Sequence, residues 1–238
     1  SFGAANRLSL QKGIVANGSK AFVTVMSSDG SQALVSKQFG GSGTSSATGV
    51  AIDGSKNIFV TGFTNSTDFP VANAIQATIG GKSDAFLTKF KSDGSMLFST
   101  YLGGSDSETP HSLFSDAQGN LVVLGRTYSQ DFPFRTTAGP GGGADMFVAK
   151  INSSGDALIG CMRIGGSGND CVNINDQARN HSERADVLIR KYGDDSRSEV
   201  VLDGSNNILV AASSQSSDFP VTGTVFQPAF AGGTQDAV

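Results

Sequence analysis

The chain repeats itself, and this internal repeat constrains its fold more than any other feature. A Gly-Gly corner after an aromatic or apolar residue occurs at Phe39-Gly40-Gly41, Leu102-Gly103-Gly104 and Ile164-Gly165-Gly166. A turn that begins with Asp and precedes an apolar run occurs at 53–57, 116–120 and 203–207. The tripeptide Asp-Phe-Pro occurs at 68–70, 131–133 and 218–220. Because these anchors recur in one order, the chain consists of copies of a single structural unit.

The spacing of the anchors is regular except at one place. From the first copy to the second, each anchor advances by about 63 residues. From the second to the third, the Gly-Gly corner advances by 62 residues but Asp-Phe-Pro advances by 87. About 25 additional residues therefore lie between Gly166 and Asp203, and we interpret them as an insertion over about 170–198.

Each unit has the pattern of four antiparallel strands. Its opening segment alternates with a period of two, as at 84–90, and a Ser-Asp-Gly turn, as at 92–94, predicts a hairpin to the second strand. We expect the Gly-Gly corner to join the second strand to a third, and the Asp turn to join the third to a fourth. The fourth strand, as at 58–60, is apolar without alternation, which is typical of a strand covered on both faces.

Four antiparallel strands with covered inner strands form the blade of a β-propeller. We therefore predict an all-β fold, a single β-propeller segment over residues 1–238 with three four-stranded blades, the start of a fourth and one inserted segment. The predicted blades span about 21–64, 85–127 and 146–213, and the next blade starts at about 236.

Two runs resemble the SBBP family, a bacterial repeat of the seven-bladed β-propeller type. The first combines Asp-Ala-Phe-Leu-Thr-Lys-Phe at 84–90 with Ser-Thr-Tyr-Leu-Gly-Gly-Ser at 99–105, and the second runs from Asn57 to Pro70. The resemblance covers nearly the whole chain except the insertion. It implies a β-propeller within a large secreted or cell-surface protein, and it supplies no catalytic residues, because the family is defined by its scaffold.

Composition excludes several classes of protein. Gly accounts for 31 of 238 residues, while 16% of residues are charged and 38% are apolar, which suits short strands and tight turns. The net charge of −4 gives no attraction for nucleic acid or an anionic membrane. The sequence has no run of 18 apolar residues, so it predicts no membrane-spanning helix.

The insertion departs from the repeat in composition and pattern. Apolar and small residues between 176 and 192 recur at spacings of three and four, which favours a helix, whereas 185–192 also resembles the opening strand of a blade. Five basic residues lie in the insertion: Arg179, Arg184, Arg190, Lys191 and Arg197. We interpret the segment either as a partner-binding element or as a decorated loop, and we expect it to be dispensable for folding.

No set of residues predicts catalysis, a cofactor or a metal. The two histidines, His111 and His181, lie in different units without partners at metal-ligand spacing. The residues Asp68, Asp131 and Asp218 of the Asp-Phe-Pro motif supply oxygen ligands of the kind that calcium prefers. A cap on their own turn, with the Phe held extended by the Pro, explains the motif more simply.

Two covalent modifications are suggested by the sequence. Cys161 and Cys171 lie five residues on either side of Gly166, so a hairpin centred there would place them opposite one another, and we predict a disulfide. Four sequons mark possible N-glycosylation sites at Asn17, Asn65, Asn152 and Asn180.

The expected function is that of a non-enzymatic structural or interaction module of an extracellular or cell-surface protein, which binds protein partners through its blade loops. The alternative is a carbohydrate-binding, lectin-like propeller, so a glycan is a possible partner. Three blades cannot close a ring. We therefore expect further segments of the same polypeptide, or other chains, to complete the propeller.

Overall fold

The computed structural model describes residues 18–171 and 198–223, together with the backbone of 236–237. Within these ranges the chain forms strands and turns and no helix. The predicted helix at 176–192, and with it residues 172–197 of the insertion, lies outside the described residues. The dispensability of the insertion for folding stays a prediction.

The described residues form fifteen strands. In chain order they are β1 Ala21–Met26, β2 Ala33–Phe39, β3 Ser45–Ile52, β4 Ile58–Thr64, β5 Asp84–Phe90, β6 Met96–Leu102, β7 Glu108–Ser115, β8 Leu121–Thr127, β9 Thr136–Ala138, β10 Asp145–Ile151, β11 Leu158–Ile164, β12 Glu199–Leu202, β13 Ile208–Ala211, β14 Ser213–Ser214 and β15 Asp236–Ala237.

The strands pair into several sheets, which are antiparallel except at one edge. Sheet I consists of β1 and β2, and sheet II has the order β3-β4-β5-β6. Sheet III has the order β7-β8-β10-β11-β9, with β9 parallel to β11. Sheet IV consists of β12 and β13, and β14 pairs with β15. The prediction of an all-β fold is confirmed.

The sheets do not coincide with the predicted units 21–64, 85–127 and 146–213. We expected the Gly-Gly corner to join two strands of one sheet, but β6 pairs with β5 and β7 pairs with β8, so the corner at 103–104 passes from sheet II to sheet III. Each four-stranded arrangement therefore combines the last two strands of one predicted unit with the first two of the next. A repeat defines a period, whereas the boundary between sheets depends on which strands pair.

The insertion enters at a β-bulge. In β7 the register with β8 shifts between Pro110 and Ser112, so the ladder passes over His111. In the next repeat Cys171 donates its backbone N–H to the Ser213 carbonyl, and the ladder resumes at Glu199. In the sequence, residues 172–197 stand between Cys171 and Ser198, where the preceding repeat has only Pro110 between Thr109 and His111. A bulge already interrupts the ladder, so an insertion there breaks no regular pairing.

Three apolar clusters separate the sheets. The cluster between sheets I and II contains Phe39, Phe69 and Phe86, and the one between sheets II and III contains Phe59, Phe132 and Phe147. The cluster between sheets III and IV includes Val122, Leu124, Met146 and Val200. Sheets II and III are therefore covered on both faces.

Burial on two faces explains the apolar fourth strands. In β4, Ile58 and Val60 belong to the cluster shared with sheet I, while Phe59 between them belongs to the cluster shared with sheet III. In β8, Val123 faces sheet II and Val122 faces sheet IV. Neighbouring side chains point to opposite faces, so both must be apolar when both faces are buried.

The importance of a covered face can be tested at two equivalent phenylalanines. Phe86 of β5 is fully buried and stacks on Phe69 with a centroid distance of 4.8 Å, whereas Phe22 of β1 is 61% exposed. We expect Phe86→Ala to lower the free energy of unfolding by about 3–5 kcal/mol and Phe22→Ala to lower it by less than about 1 kcal/mol. Chemical denaturation of both variants measures the difference, and equal losses would contradict the assignment of the two faces.

Candidate functional site: the corners between sheets

The Asp-Phe-Pro motif fastens each corner between sheets. Asp131 Oδ1 accepts hydrogen bonds from the Ser105 backbone N–H at 2.8 Å and from the Ser105 hydroxyl at 2.9 Å. Asp68 accepts the same pair from Ser42, and Asp218 accepts it from Ser167. These three carboxylate–serine contacts are called the corner latches below. In each latch the aspartate lies in the loop after the second strand of a sheet, counted along the chain. The serine lies at the corner through which the chain entered that sheet.

The hydrogen bonds of the corner latches also lower the pKa values of their aspartates. The backbone N–H of Ser105 lowers the pKa of Asp131, and the Ser105 hydroxyl adds to the effect. The same contacts from Ser42 and Ser167 lower the pKa of Asp68 and Asp218. The sequence interpretation placed each carboxylate on its own turn, whereas the structure gives it a partner at a distant corner. The phenylalanine of each motif enters the cluster behind its latch: Phe69, Phe132 and Phe219.

The corner needs glycine because the latch approaches so closely. A Cβ on Gly104 would lie 2.5 Å from Asp131 Oδ1 and 2.6 Å from Ser129 Cβ. A Cβ on Gly41 would lie 2.1 Å from Asp68 Oδ1, and one on Gly166 would lie 2.5 Å from Asp218 Oδ1. The second glycine of each Gly-Gly pair therefore leaves room for the carboxylate.

The latch can be tested by adding one methyl group. We expect Gly104→Ala to lower the free energy of unfolding by about 1–3 kcal/mol, because the added Cβ displaces either Asp131 or the corner. Gly54→Ala is the control, since a Cβ there meets nothing within 4 Å. Thermal unfolding of both variants measures the effect. A loss in Gly104→Ala no greater than in Gly54→Ala would contradict the proposed tightness of the corner.

The Asp turns are hairpin turns, as the sequence predicted. Asp53 Oδ1 accepts hydrogen bonds from the backbone N–H groups of Ser55 and Asn57, and Asp53 Oδ2 lies 3.1 Å from Lys89 Nζ. Burial raises the pKa of Asp53, but the hydrogen bonds from Asn57 and Lys89 outweigh it, so the pKa lies below its ordinary value. Asp116 repeats the arrangement with Lys150 at 2.9 Å. Each ion pair ties a turn to the neighbouring strand.

Buried carboxyl groups flank the first glycine of two corners. Asp84 and Glu108 approach Gly103, and Asp145 and Asp170 approach Gly165. Glu108 Oε1 accepts from the Thr127 hydroxyl at 2.6 Å, and Asp170 Oδ2 accepts from the Gly166 N–H at 2.7 Å. Burial raises the pKa of Asp84 and of Glu108.

Asp145 is the least satisfied of these carboxyl groups. It is 2% exposed, and its Oδ1 has no hydrogen-bond partner. Burial raises the pKa of Asp145 to about 6; the Gly142 N–H and Arg163 oppose the increase, and the charge of Asp170 adds to it. The folded protein therefore favours the protonated, neutral form of this group.

The pKa of Asp145 predicts a pH dependence of stability. In the unfolded chain the group ionises near its ordinary value of 3.8, but in the folded protein it ionises near 6. Its contribution is therefore fully present below about pH 4 and is lost as the pH rises to about 6. We expect the free energy of unfolding of wild type to fall relative to Asp145→Asn by on the order of 1–3 kcal/mol across this window.

Urea denaturation from pH 4 to pH 7 measures this difference. Asp156→Asn is the control, because hydrogen bonds from the Asn152 and Ser154 side chains lower the pKa of Asp156. This group ionises largely below the measured window, so the difference between wild type and Asp156→Asn should change little from pH 4 to pH 7. A constant difference between wild type and Asp145→Asn would contradict the raised pKa.

The predicted disulfide between Cys161 and Cys171 is wrong. Both residues are buried free thiols, and they lie in different clusters, Cys161 in the one between sheets II and III and Cys171 in the one between sheets III and IV. The prediction assumed a hairpin centred on Gly166, but β11 pairs with β10 and the chain leaves sheet III at this corner. Burial raises the pKa of Cys161 to about 12 and that of Cys171 to about 11.

A polar cluster that the sequence interpretation missed lies where the insertion begins and ends. His111 Nδ1 lies 3.4 Å from Cys171 Sγ and 2.8 Å from Ser198 Oγ. Burial, with the charge of Arg126, lowers the pKa of His111 to about 3. At neutral pH the pair is therefore a neutral imidazole and a protonated thiol, which lacks the thiolate that a cysteine nucleophile needs. One signal was available in the sequence, since Arg126 stands where the preceding repeat has Phe63.

The remaining predicted sites are only partly described. The basic residues of the insertion and His181 lie outside the described residues, as do the sequons at Asn17 and Asn180. Asn65 is exposed, and its Oδ1 accepts the Thr44 N–H. The Asn152 side-chain nitrogen, to which a glycan would attach, donates to Asp156 Oδ1 at 2.6 Å. Glycosylation of these sequons stays a prediction.

Two searches of the described ranges complete the site analysis. No group of three or more His, Cys, Asp or Glu side chains within them is arranged to hold a metal ion. In those same ranges, no helix has the length and apolarity needed to cross a membrane.

The fold and the latches define an all-β repeat protein with antiparallel sheets stacked on apolar clusters. Residues 36–70 match the family model of the SBBP beta-propeller repeat. The matched residues include both sides of one latch, Ser42 and Asp68. No curated protein matches the chain.

Proposed function

We propose that the chain is part of a β-propeller whose blades are the four-stranded arrangements centred on sheets II and III, with sheets I and IV as parts of the blades on either side. It acts as a non-enzymatic structural or interaction module of an extracellular or cell-surface protein and binds protein partners through its blade loops. The observation that carries the proposal is the stacking of sheets whose outermost faces are not covered by any described strand.

The uncovered faces follow from the repeat. Leu113 and Val200 are buried beneath a preceding sheet, but the equivalent Val50 is 62% exposed. At the other end, Val122 of β8 is fully buried and the equivalent Leu209 of β13 is 48% exposed. Apolar faces of this kind are normally covered by another surface. In a propeller, further blades cover them, supplied by the same polypeptide or by other chains.

The chemistry of the described residues supports a structural role. The carboxylates repeated in every unit bind serine hydroxyls, backbone N–H groups and lysines, so they hold corners and turns together. The His111–Cys171 pair contains no activated nucleophile. An extracellular or cell-surface location is proposed from the resemblance to secreted bacterial repeats.

Solution association tests the proposal. We expect the 238-residue chain to self-associate through its end faces, and the double variant Phe22→Ser, Val50→Ser to reduce the association. Val221→Ser is the control, because Val221 is 51% exposed but belongs to none of the strands. Sedimentation velocity over a concentration series measures the effect, and a wild-type chain that stays monomeric throughout would contradict the need for covering sheets.

Glycan binding distinguishes the alternative function. The carbohydrate-binding hypothesis predicts recognition of specific sugars on a glycan array, whereas the interaction-module proposal predicts none. The absence of Trp from the sequence disfavours sugar binding, because sugar rings commonly stack on aromatic side chains.

A further inference from the structure

Arg126 is a charged residue in an apolar interface. It follows Val122 and Leu124 at alternate positions of β8, so its side chain points from sheet III toward sheet IV. It is 8% exposed, and its Cζ lies 5.3 Å from the centre of the Tyr128 ring. The equivalent residue of the preceding repeat is Phe63, so the repeat itself does not require a charge here.

The guanidinium of Arg126 lacks hydrogen-bond acceptors. Its Nε and Nη1 atoms are buried without a hydrogen-bond partner. Across the described ranges, the ion pairs involve Lys82, Lys89, Lys150 and Arg163, and Arg126 forms none. A guanidinium carries a permanent positive charge, so this charge remains in the interface. A buried and unpaired charge costs several kcal/mol.

The surroundings favour an anion over a metal ion. Cys171 and His111 both lie within the electrostatic influence of Arg126. Its charge adds to the lowering of the pKa of His111 and opposes the burial that raises the pKa of Cys171. The same positive charge repels a cation from the thiol and the imidazole. Asp170, the nearest acidic influence on Cys171, already accepts hydrogen bonds from Gly166 and Ser216. The Arg126 guanidinium therefore has a positive charge and N–H donors without acceptors, whereas Asp170 already accepts other hydrogen bonds.

We propose that Arg126 is the receptor for a carboxylate, bound in the interface between sheets III and IV beside His111 and Cys171. A carboxylate is planar and has two acceptor oxygens, which match the donors of a guanidinium better than a spherical anion does. It can come from a free small molecule in solution or from an acidic side chain of the chain itself. The two sources share one chemistry and give different results in the test below.

The test uses sodium malonate as the carboxylate, with sodium chloride at equal ionic strength as the reference. Thermal unfolding is measured for wild type, for Arg126→Met and for the control Arg135→Met. Arg135 is exposed and donates to the Leu158 carbonyl. A further full-length variant neutralises the acidic residues that follow Cys171 in the sequence by Asp→Asn and Glu→Gln changes at Asp176, Glu183, Asp186, Asp194 and Asp195.

For a free carboxylate, we expect malonate to raise the melting temperature of wild type by about 2–4 °C. Arg135→Met should keep this increase and Arg126→Met should lose it. For a carboxylate of the chain itself, wild type should not respond, whereas the neutralised variant should melt earlier and regain stability in malonate. Adding Arg126→Met to the neutralised variant should then abolish the recovery.

Two results would overturn the proposal. One is the absence of a malonate response in both wild type and the neutralised variant. The other is a response that persists unchanged in Arg126→Met. If Arg126→Met does not fold, Arg126→Lys replaces it; this variant keeps the charge but lacks the planar fork, so the increase in melting temperature should shrink.

Discussion

Burial of both faces of sheets II and III is the constraint on which the rest of the structure depends. It requires apolar residues at consecutive positions of β4 and β8, and it places Phe59 and Val122 in clusters different from those of their immediate neighbours. A strand buried on both faces cannot be stable without sheets on both sides. The same requirement applies to Val50 and Leu209, which are exposed because no strand of the described ranges covers them.

The corner latches convert stacking into a fixed geometry. Apolar packing is not directional and would allow neighbouring sheets to slide or rotate. The hydrogen bonds from Ser105 to Asp131 have a defined direction, and the adjacent Phe132 is buried in the cluster between sheets II and III. One tripeptide therefore orients a corner and contributes to the core behind it. This double role gives a physical reason for Asp-Phe-Pro to recur in every copy of the repeat.

Departures from the repeat concentrate between sheets III and IV. In this interface Arg126 replaces a phenylalanine, and Cys171 and Ser198 meet at His111 on either side of the insertion. A structural repeat tolerates such changes only where other interactions compensate for buried polar groups. The proposed carboxylate at Arg126 supplies that compensation. It would make this interface an anion-binding site within the repeat scaffold.

The sequence by itself determined the fold class, the period of the repeat and the position of the insertion, because alternating strands, glycine corners and apolar runs are local patterns. It did not determine which strands pair across Gly103-Gly104, since a period has no inherent starting point, and so the predicted blade limits were displaced. The sequence also gave no correct prediction for Cys161 and Cys171. They are close in sequence but lie in clusters on opposite sides of sheet III. Only the tertiary structure decided which distant residues meet. Asp131 pairs with Ser105, and His111 lies against Cys171 and Ser198, because of how one sheet packs on the next.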